Sequence, residues 1–387
     1  MSLSWNREAT EYRRRWWRGS GIVLMAAIGV NGGCVRRHAV PPDALGEVRT
    51  YLGTASRAPA LDGEVRDDPE LEWEASLGRG TLGVPAMGPG AAAVTTIDRW
   101  LYAFDPRTGG IYWRTRGETP YGVGPVVDRD HIYVGSEGRD GMVAAYELRK
   151  GKRVWRRRIG DVAAPLTLGD SLLFGSTHAL GYTFALRTDD GEIAWRERTG
   201  GSVSGPLLIG SYVAIVSLTD SLFVLDAASG EIVTRVALGT STAAPLARAD
   251  DSTVVMTTPA GSVIGITIPS GRIAWRHETR QPILGTAVVA LDTVFALTSR
   301  CTLWTIPIFN LGTATSRALG CNSVAPPVLT RNGVLVATTG GDIVMFDRSS
   351  GQRRWERRIG GELREAPVIV DGRVLVAPTL GPVVSYR

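Results

Sequence analysis

Cysteine, histidine and long apolar runs are all scarce in this chain of 387 residues, which has three cysteines and four histidines. No two cysteines are adjacent, and His131, His178 and His277 fall at different points of the pattern described below, with no metal-ligand spacing. The apolar run Gly21–Val30 is far short of the roughly 20 residues that a membrane-spanning helix needs. There is no Ser-His-Asp nucleophile motif and no phosphate-cradling glycine loop. These absences leave no catalytic, cofactor-binding or metal-binding residue to expect. A nucleic-acid partner is excluded on charge. The net charge is +5, but residues 1–34 hold five arginines and two glutamates, leaving 38 basic against 36 acidic residues after them. That remainder has no basic block interleaved with aromatics.

What is present begins with an export signal. Arg13, Arg14, Arg15 and Arg18 precede Gly21–Val30, which is followed by small residues and Cys34. Cys34 stands where a lipoprotein is lipidated after cleavage, although Asn31 takes the place of the usual leucine-like residue three before it. The arginine run also resembles a twin-arginine signal. The expected divisions are a leader over 1–34, a linker and lead-in over 35–69, and one domain over 70–387. The expected location is the periplasm, on an outer-membrane lipid anchor or, if the leader is simply cleaved, in solution.

The domain is repetitive. Gly-x-x-x-Trp occurs at Gly109–Trp113, Gly151–Trp155, Gly191–Trp195, Gly271–Trp275 and Gly351–Trp355. Aligned on the tryptophan, the chain places Trp73, Trp113, Trp155, Trp195, Thr234, Trp275, Ser316 and Trp355 at spacings of 40, 42, 40, 39, 41, 41 and 39. A small residue and proline open most units, as at Gly124-Pro125, Ala164-Pro165 and Ala366-Pro367. Between landmarks lie short alternating apolar stretches bounded by Gly, Asp and Ser, four to a unit. In the third unit they are 164–168, 171–175, 182–186 and 192–197. Four strands per repeat of about 40 residues predicts an all-β propeller of four-stranded antiparallel blades.

Asp105, Asp226 and Asp347 each precede a Ser/Thr-Gly turn. One carboxylate per blade reads as a turn acceptor and not as a calcium loop. The tryptophan falls on the outermost strand, where it can cover the seam between blades while its N–H finds a backbone acceptor. Arg114, Arg156, Arg196 and Arg276 follow it as a solvated rim. The last unit stops at Tyr386-Arg387 without a fourth strand, and Trp73 sits on a fourth strand without a blade. Pairing the two closes a ring of eight blades, the last completed by the N-terminal strand.

These landmarks make residues 70–387 resemble the PQQ-like repeat family. Arg49–Arg57 is similar to the lead-in of such proteins. The resemblance implies one of two activities. Quinoprotein dehydrogenases of the family need a calcium site, a catalytic Asp, a quinone sandwich and an adjacent cysteine pair, and this chain has no such pair. BamB-like lipoproteins of the outer-membrane β-barrel assembly machine are non-catalytic, and this chain is similar to them in length, blade count and leader. A BamB-like part implies a protein partner in the cell envelope and contact through loops entering the inner strands. Those loops are mostly Gly, Ser and Thr, so Leu363, Arg364 and Glu365 carry the expectation of partner contact. A ligand- or polysaccharide-binding propeller is the alternative.

Cys301 and Cys321 lie in the sixth unit, on either side of a turn at Asn310-Leu311-Gly312. Antiparallel pairing about residue 311 brings them nearly opposite, which predicts a disulfide in an oxidising compartment.

Overall fold

The computed structural model describes residues 39–40 and 65–387, apart from 241, 243 and 332. The leader, Cys34 and the Arg49–Arg57 lead-in lie outside the described residues. The described chain forms eight four-stranded antiparallel sheets. Blades 1 to 7 follow the chain, from Thr81–Arg116 in blade 1 to Val328–Arg358 in blade 7. Blade 8 takes its first three strands from Val368–Val370, Arg373–Val376 and Val383–Tyr386, and its fourth from Leu71–Ala75.

The burial of each strand follows from its place in a blade. Second and third strands have a neighbouring blade on both faces, so they read as apolar runs; Ala91–Thr96 is buried at every position. Fourth strands alternate, and in five blades the tryptophan is the one buried residue of the strand, as in Arg153–Arg158. First strands are short in every blade but the first, where Thr81–Gly88 has eight residues. In blade 3 only Thr167–Leu168 pair, because Pro165 has no N–H to give the ladder. The apolar side chains gather into eight clusters, one at each seam. The ring therefore has eight small cores.

A repeated lock closes four of these seams. Each tryptophan donates its indole N–H to the next blade: Trp73 to the carbonyl of Pro106 (3.1 Å), Trp113 to Leu148 (2.8 Å), Trp155 to Thr188 (2.9 Å) and Trp195 to Ala227 (2.9 Å). The ring also lies on the next blade's turn glycine. A Cβ on Gly151 would stand 2.5 Å from Trp113 Cε3. Gly151 has φ +65°, so the same residue serves the left-handed turn and the ring seat.

The lock fails where the next turn is altered. Trp275 and Trp355 have no acceptor for their indole N–H. Trp275 faces the irregular turn of blade 6, with a 3₁₀ segment at Leu311–Thr313. Trp355 faces blade 8, where Arg387 stands at the position of the turn residue Asp105, one before the acceptor, and gives its carbonyl to Glu70 N–H (3.0 Å). Around that closure Arg373 makes a two-point contact with Glu72 (2.7 and 2.9 Å), Arg357 pairs with Asp68, and Val65 packs against Trp355.

One alignment needs correcting. Ser316 is not the tryptophan equivalent of blade 6. It pairs with Trp304, which packs on the blade 5 side, whereas Thr315 pairs with Thr305 and faces blade 7 with Arg317. Thr305 and Thr315 pair as Ala103 and Trp113 do in blade 1, and the blade 6 ladder ends there, before the point at which the other blade has its bulge. The same ladder pairs Thr302 with Ala318, so Cys301 lies opposite Leu319, whose N–H it accepts (2.9 Å), two residues short of Cys321. The two sulfurs are joined, with Cα atoms 5.2 Å apart.

The rim arginines are not simply solvated. Arg114 lies over Trp100 (4.6 Å to the ring centre) and Arg196 over Tyr182 (4.5 Å), each on the third strand of its own blade. Arg153 and Arg156 share Glu118, whose carboxyl is held below its usual range, first by the hydrogen bond from Arg153.

Candidate interaction surface

The ring has two unlike faces. On one, connectors between blades meet the loops joining second and third strands. Asp161 O accepts from His178 N–H (3.1 Å), Gly201 O from Leu218 N–H (3.0 Å) and Glu362 O from Thr379 N–H (3.2 Å). On the other face lie the turns that carry the docking glycines.

The small-residue and proline landmarks line a throat on the connector face. It encloses about 270 Å³ between Val84, Pro85, Pro125, Pro165, Val203 and Pro245. Glu365 is the charged side chain among its lining residues. A cavity of about 520 Å³ adjoins the throat at Ala163 and Val203, running past Glu137, Arg139 and Asp161 to His178 and Leu180. Asp161 fixes this loop by accepting from Ala179 N–H (3.0 Å). Asp98 does similar work in blade 1. Burial pushes its carboxyl up, but hydrogen bonds from Thr96 Oγ1 (2.7 Å) and Arg79 N–H (3.2 Å) bring it to a net value below the usual range.

Apolar tips rise around the throat. Ile97, Leu180, Leu218 and Leu380 sit on loops between second and third strands, and Leu284 on a connector; all are exposed, Leu380 by 61%. Leu180, Leu218 and Leu380 add to the exposed apolar chemistry that the connectors supply through Leu284. A sequence signal for them existed, since each falls at the gap between the second and third apolar stretches of its unit.

The expected contact Leu363–Glu365 divides. Leu363 is 1% exposed and belongs to the core of the last seam, with Val65, Ala366 and Val374. It is not a surface anchor. The equivalent places in other connectors are buried too: Val162, Ser202, Thr242, Ile283 and Ser323. Where that residue is polar, its hydroxyl bonds a nearby backbone carbonyl, as Ser202 bonds Val216 O (2.8 Å). The 40-residue period was enough to reveal this plug position. Arg364 is exposed and pairs with Glu362 (3.0 Å), and Glu365 faces the throat.

The turn aspartates accept from their own turns. Asp347 Oδ1 takes hydrogen bonds from Ser349 Oγ (2.6 Å) and Ser350 N–H (2.7 Å), which hold the carboxyl well below its ordinary range. Among the described residues no three His, Cys, Asp or Glu side chains converge as a metal site, and no helix is long and apolar enough to cross a membrane.

Comparison with known proteins follows this geometry. The family model described as outer membrane protein assembly factor BamB matches residues 62–195, 181–308 and 294–385. The chain is similar to BamB of Burkholderia pseudomallei, 26% identical over 261 residues, covering 65% of this chain and 60% of that relative. It is similar to BamB of Bordetella pertussis, 25% identical over 330 residues, covering 78% and 83%. Among solved structures, BamB from Moraxella catarrhalis superposes with a TM-score of 0.65 at 16% identity, covering 83% of this chain and 96% of that one. A europium-containing methanol dehydrogenase superposes with a TM-score of 0.72 at 10% identity, covering 87% and 90%, a likeness of fold alone. The matched stretches run almost unbroken around the ring, and on them the chain belongs to the family of the outer membrane protein assembly factor BamB.

Proposed function

We propose that the protein is a non-catalytic interaction propeller of the cell envelope and serves outer-membrane protein assembly, held at the membrane through a lipid on Cys34. The observation that carries the reading is the connector face. A small throat lined by Glu365, on a face that also exposes Leu180, Leu218, Leu380 and Arg364, suits a polypeptide better than a buried small substrate. Support also comes from the names of the relatives, which are assembly factors. The dehydrogenase likeness is one of fold over most of the chain, with a sequence match limited to 80 residues, 18% of this chain.

The test is affinity capture of the tagged full-length protein from detergent-solubilised membranes, with mass spectrometry of what co-purifies. Recovery of an outer-membrane barrel-assembly protein, lost on Leu180→Asp with Leu218→Asp, supports the proposal. Recovery of a different envelope complex keeps an interaction protein and discards the assembly role. With no specific partner, the ligand-binding alternative takes its place, and quinone reconstitution is the next assay.

A further inference from the structure

The seam between blades 6 and 7 keeps the seat of the tryptophan lock without the tryptophan. Thr315 stands where blades 1, 2 and 3 place the ring. Gly351 retains φ +70°, and the aliphatic stem of Arg317 lies across it. Arg348 occupies the place whose carbonyl, in Pro106, Leu148, Thr188 and Ala227, accepts an indole N–H. A cavity of about 420 Å³ opens beside this seat, lined among others by Leu291, Phe295, Leu303, Arg317 and Arg348 and by no carboxylate, while Gly351 itself lines a second cavity of about 570 Å³ with Asp342, Arg353 and Glu356.

The lip of this cavity is apolar and strained. Leu291 and Phe309 are 82% and 84% exposed, the most exposed large apolar residues described. Leu291 lines the cavity, and Phe309 tips the neighbouring turn, tied to the first by Ile308 N–H to Asp292 O (2.9 Å). Leu291 and Asp292 hold φ +48° and +58°, a conformation that costs a non-glycine residue energy and is retained mainly where it serves a purpose. The other seam without tryptophan differs. There Thr234 and Val236 fill the seat on Gly271.

We infer that this seam is a second docking site, on the turn face, for a partner polypeptide that inserts a tryptophan with an acidic residue beside it. The indole takes the repeat's own seat on Gly351 after the flexible Arg317 stem swings aside. Its N–H meets the Arg348 carbonyl, and the carboxylate meets the Arg317 and Arg348 guanidinium groups. A cavity lined by two arginines and no carboxylate favours an inserted side chain over a flat membrane surface. The site is independent of the connector face and of the assembly role.

The probe is the capped dipeptide acetyl-Trp-Glu-amide, titrated into the full-length protein and followed by ligand-observed NMR. Saturable binding is expected, about tenfold weaker for acetyl-Trp-Lys-amide and for Arg317→Glu with Arg348→Glu, the scale of one lost charge-assisted contact. Thr315→Trp fills the seat from within and is expected to abolish binding while raising the melting temperature, so loss of binding there cannot be ascribed to misfolding. Absence of saturable binding to the wild type overturns the proposal, as does undiminished binding to Thr315→Trp. Sedimentation with phosphatidylglycerol vesicles that depends on Leu291 and Phe309, without peptide binding, also overturns it and makes the patch a membrane contact.

Discussion

The seam between blades 1 and 2 and the seam between blades 6 and 7 are built on the same plan and finished differently. In the first, Trp113 is 1% exposed, bonds Leu148 O and lies on Gly151. In the second, Thr315 leaves the glycine to Arg317 and the seam to a cavity, while Cys301 and Cys321 tie the connector end of blade 6. The turn glycine survives in both because the left-handed turn needs it whether or not a ring rests there. One covalent link and one movable arginine thus stand in for a packed indole, and the exchange frees a surface.

The largest contrast is expected on truncating the two equivalent positions. Trp113→Ala should cost about 3–5 kcal/mol, the range for removing a buried large aromatic. Thr315→Ala should change stability by less than about 0.5 kcal/mol, since it is exposed. Denaturant unfolding measures both, and similar losses would erase the distinction between the seams. Next comes the disulfide. Its loop spans 20 residues, and replacing both cysteines by serine should cost about 3 kcal/mol, with no free thiol titrating in the unreduced wild type. Finding two thiols refutes the link.

Gly151→Ala and Gly351→Ala separate seat from turn. Both meet a positive φ worth about 1 kcal/mol. At Gly151 the new methyl also strikes a ring fixed by its hydrogen bond, whereas at Gly351 it strikes an arginine stem that can move. Gly151→Ala should therefore lower the melting temperature more, and equal shifts would mean that only the turn matters. The smallest effect is a pH dependence in the turn next to the open seam. The Asp347 carboxyl is depressed in the folded state, so its stabilisation is complete above the ordinary carboxylate range, begins to fall below it and is gone once pH passes the depressed folded value. The melting-temperature gap between wild type and Asp347→Asn should shrink between about pH 7 and about pH 3. A constant gap would separate the turn's stability from that carboxylate.

Much of the ring was legible before any coordinates. The period, the proline landmark and the unmatched ends at Trp73 and Tyr386 dictate eight blades and their closure, because a blade cannot leave its fourth edge bare. The site was less legible. Leu363 looked like an anchor because its connector is otherwise polar, yet its period places it with Val162 and Ile283 under the connector. Ser316 looked like the missing tryptophan because it and Thr315 both keep the repeat spacing, and only the strand pairing chooses between them.

The sequence by itself determined the periodic part of this protein: strand length, turn chemistry, which positions face a seam, and the ring that follows from summing them. These are local properties, repeated often enough to be read by comparing units. Only the tertiary structure decided what happens between units. Whether an indole finds a carbonyl depends on the next blade's turn, as Trp355 shows by facing blade 8, whose third and fourth strands are not joined by a hairpin. Whether a missing tryptophan leaves a filled seam or a cavity depends on a side chain two residues away, Val236 in one case and Arg317 in the other. Such outcomes turn on packing across a gap of a few ångströms, which no spacing along a single strand encodes.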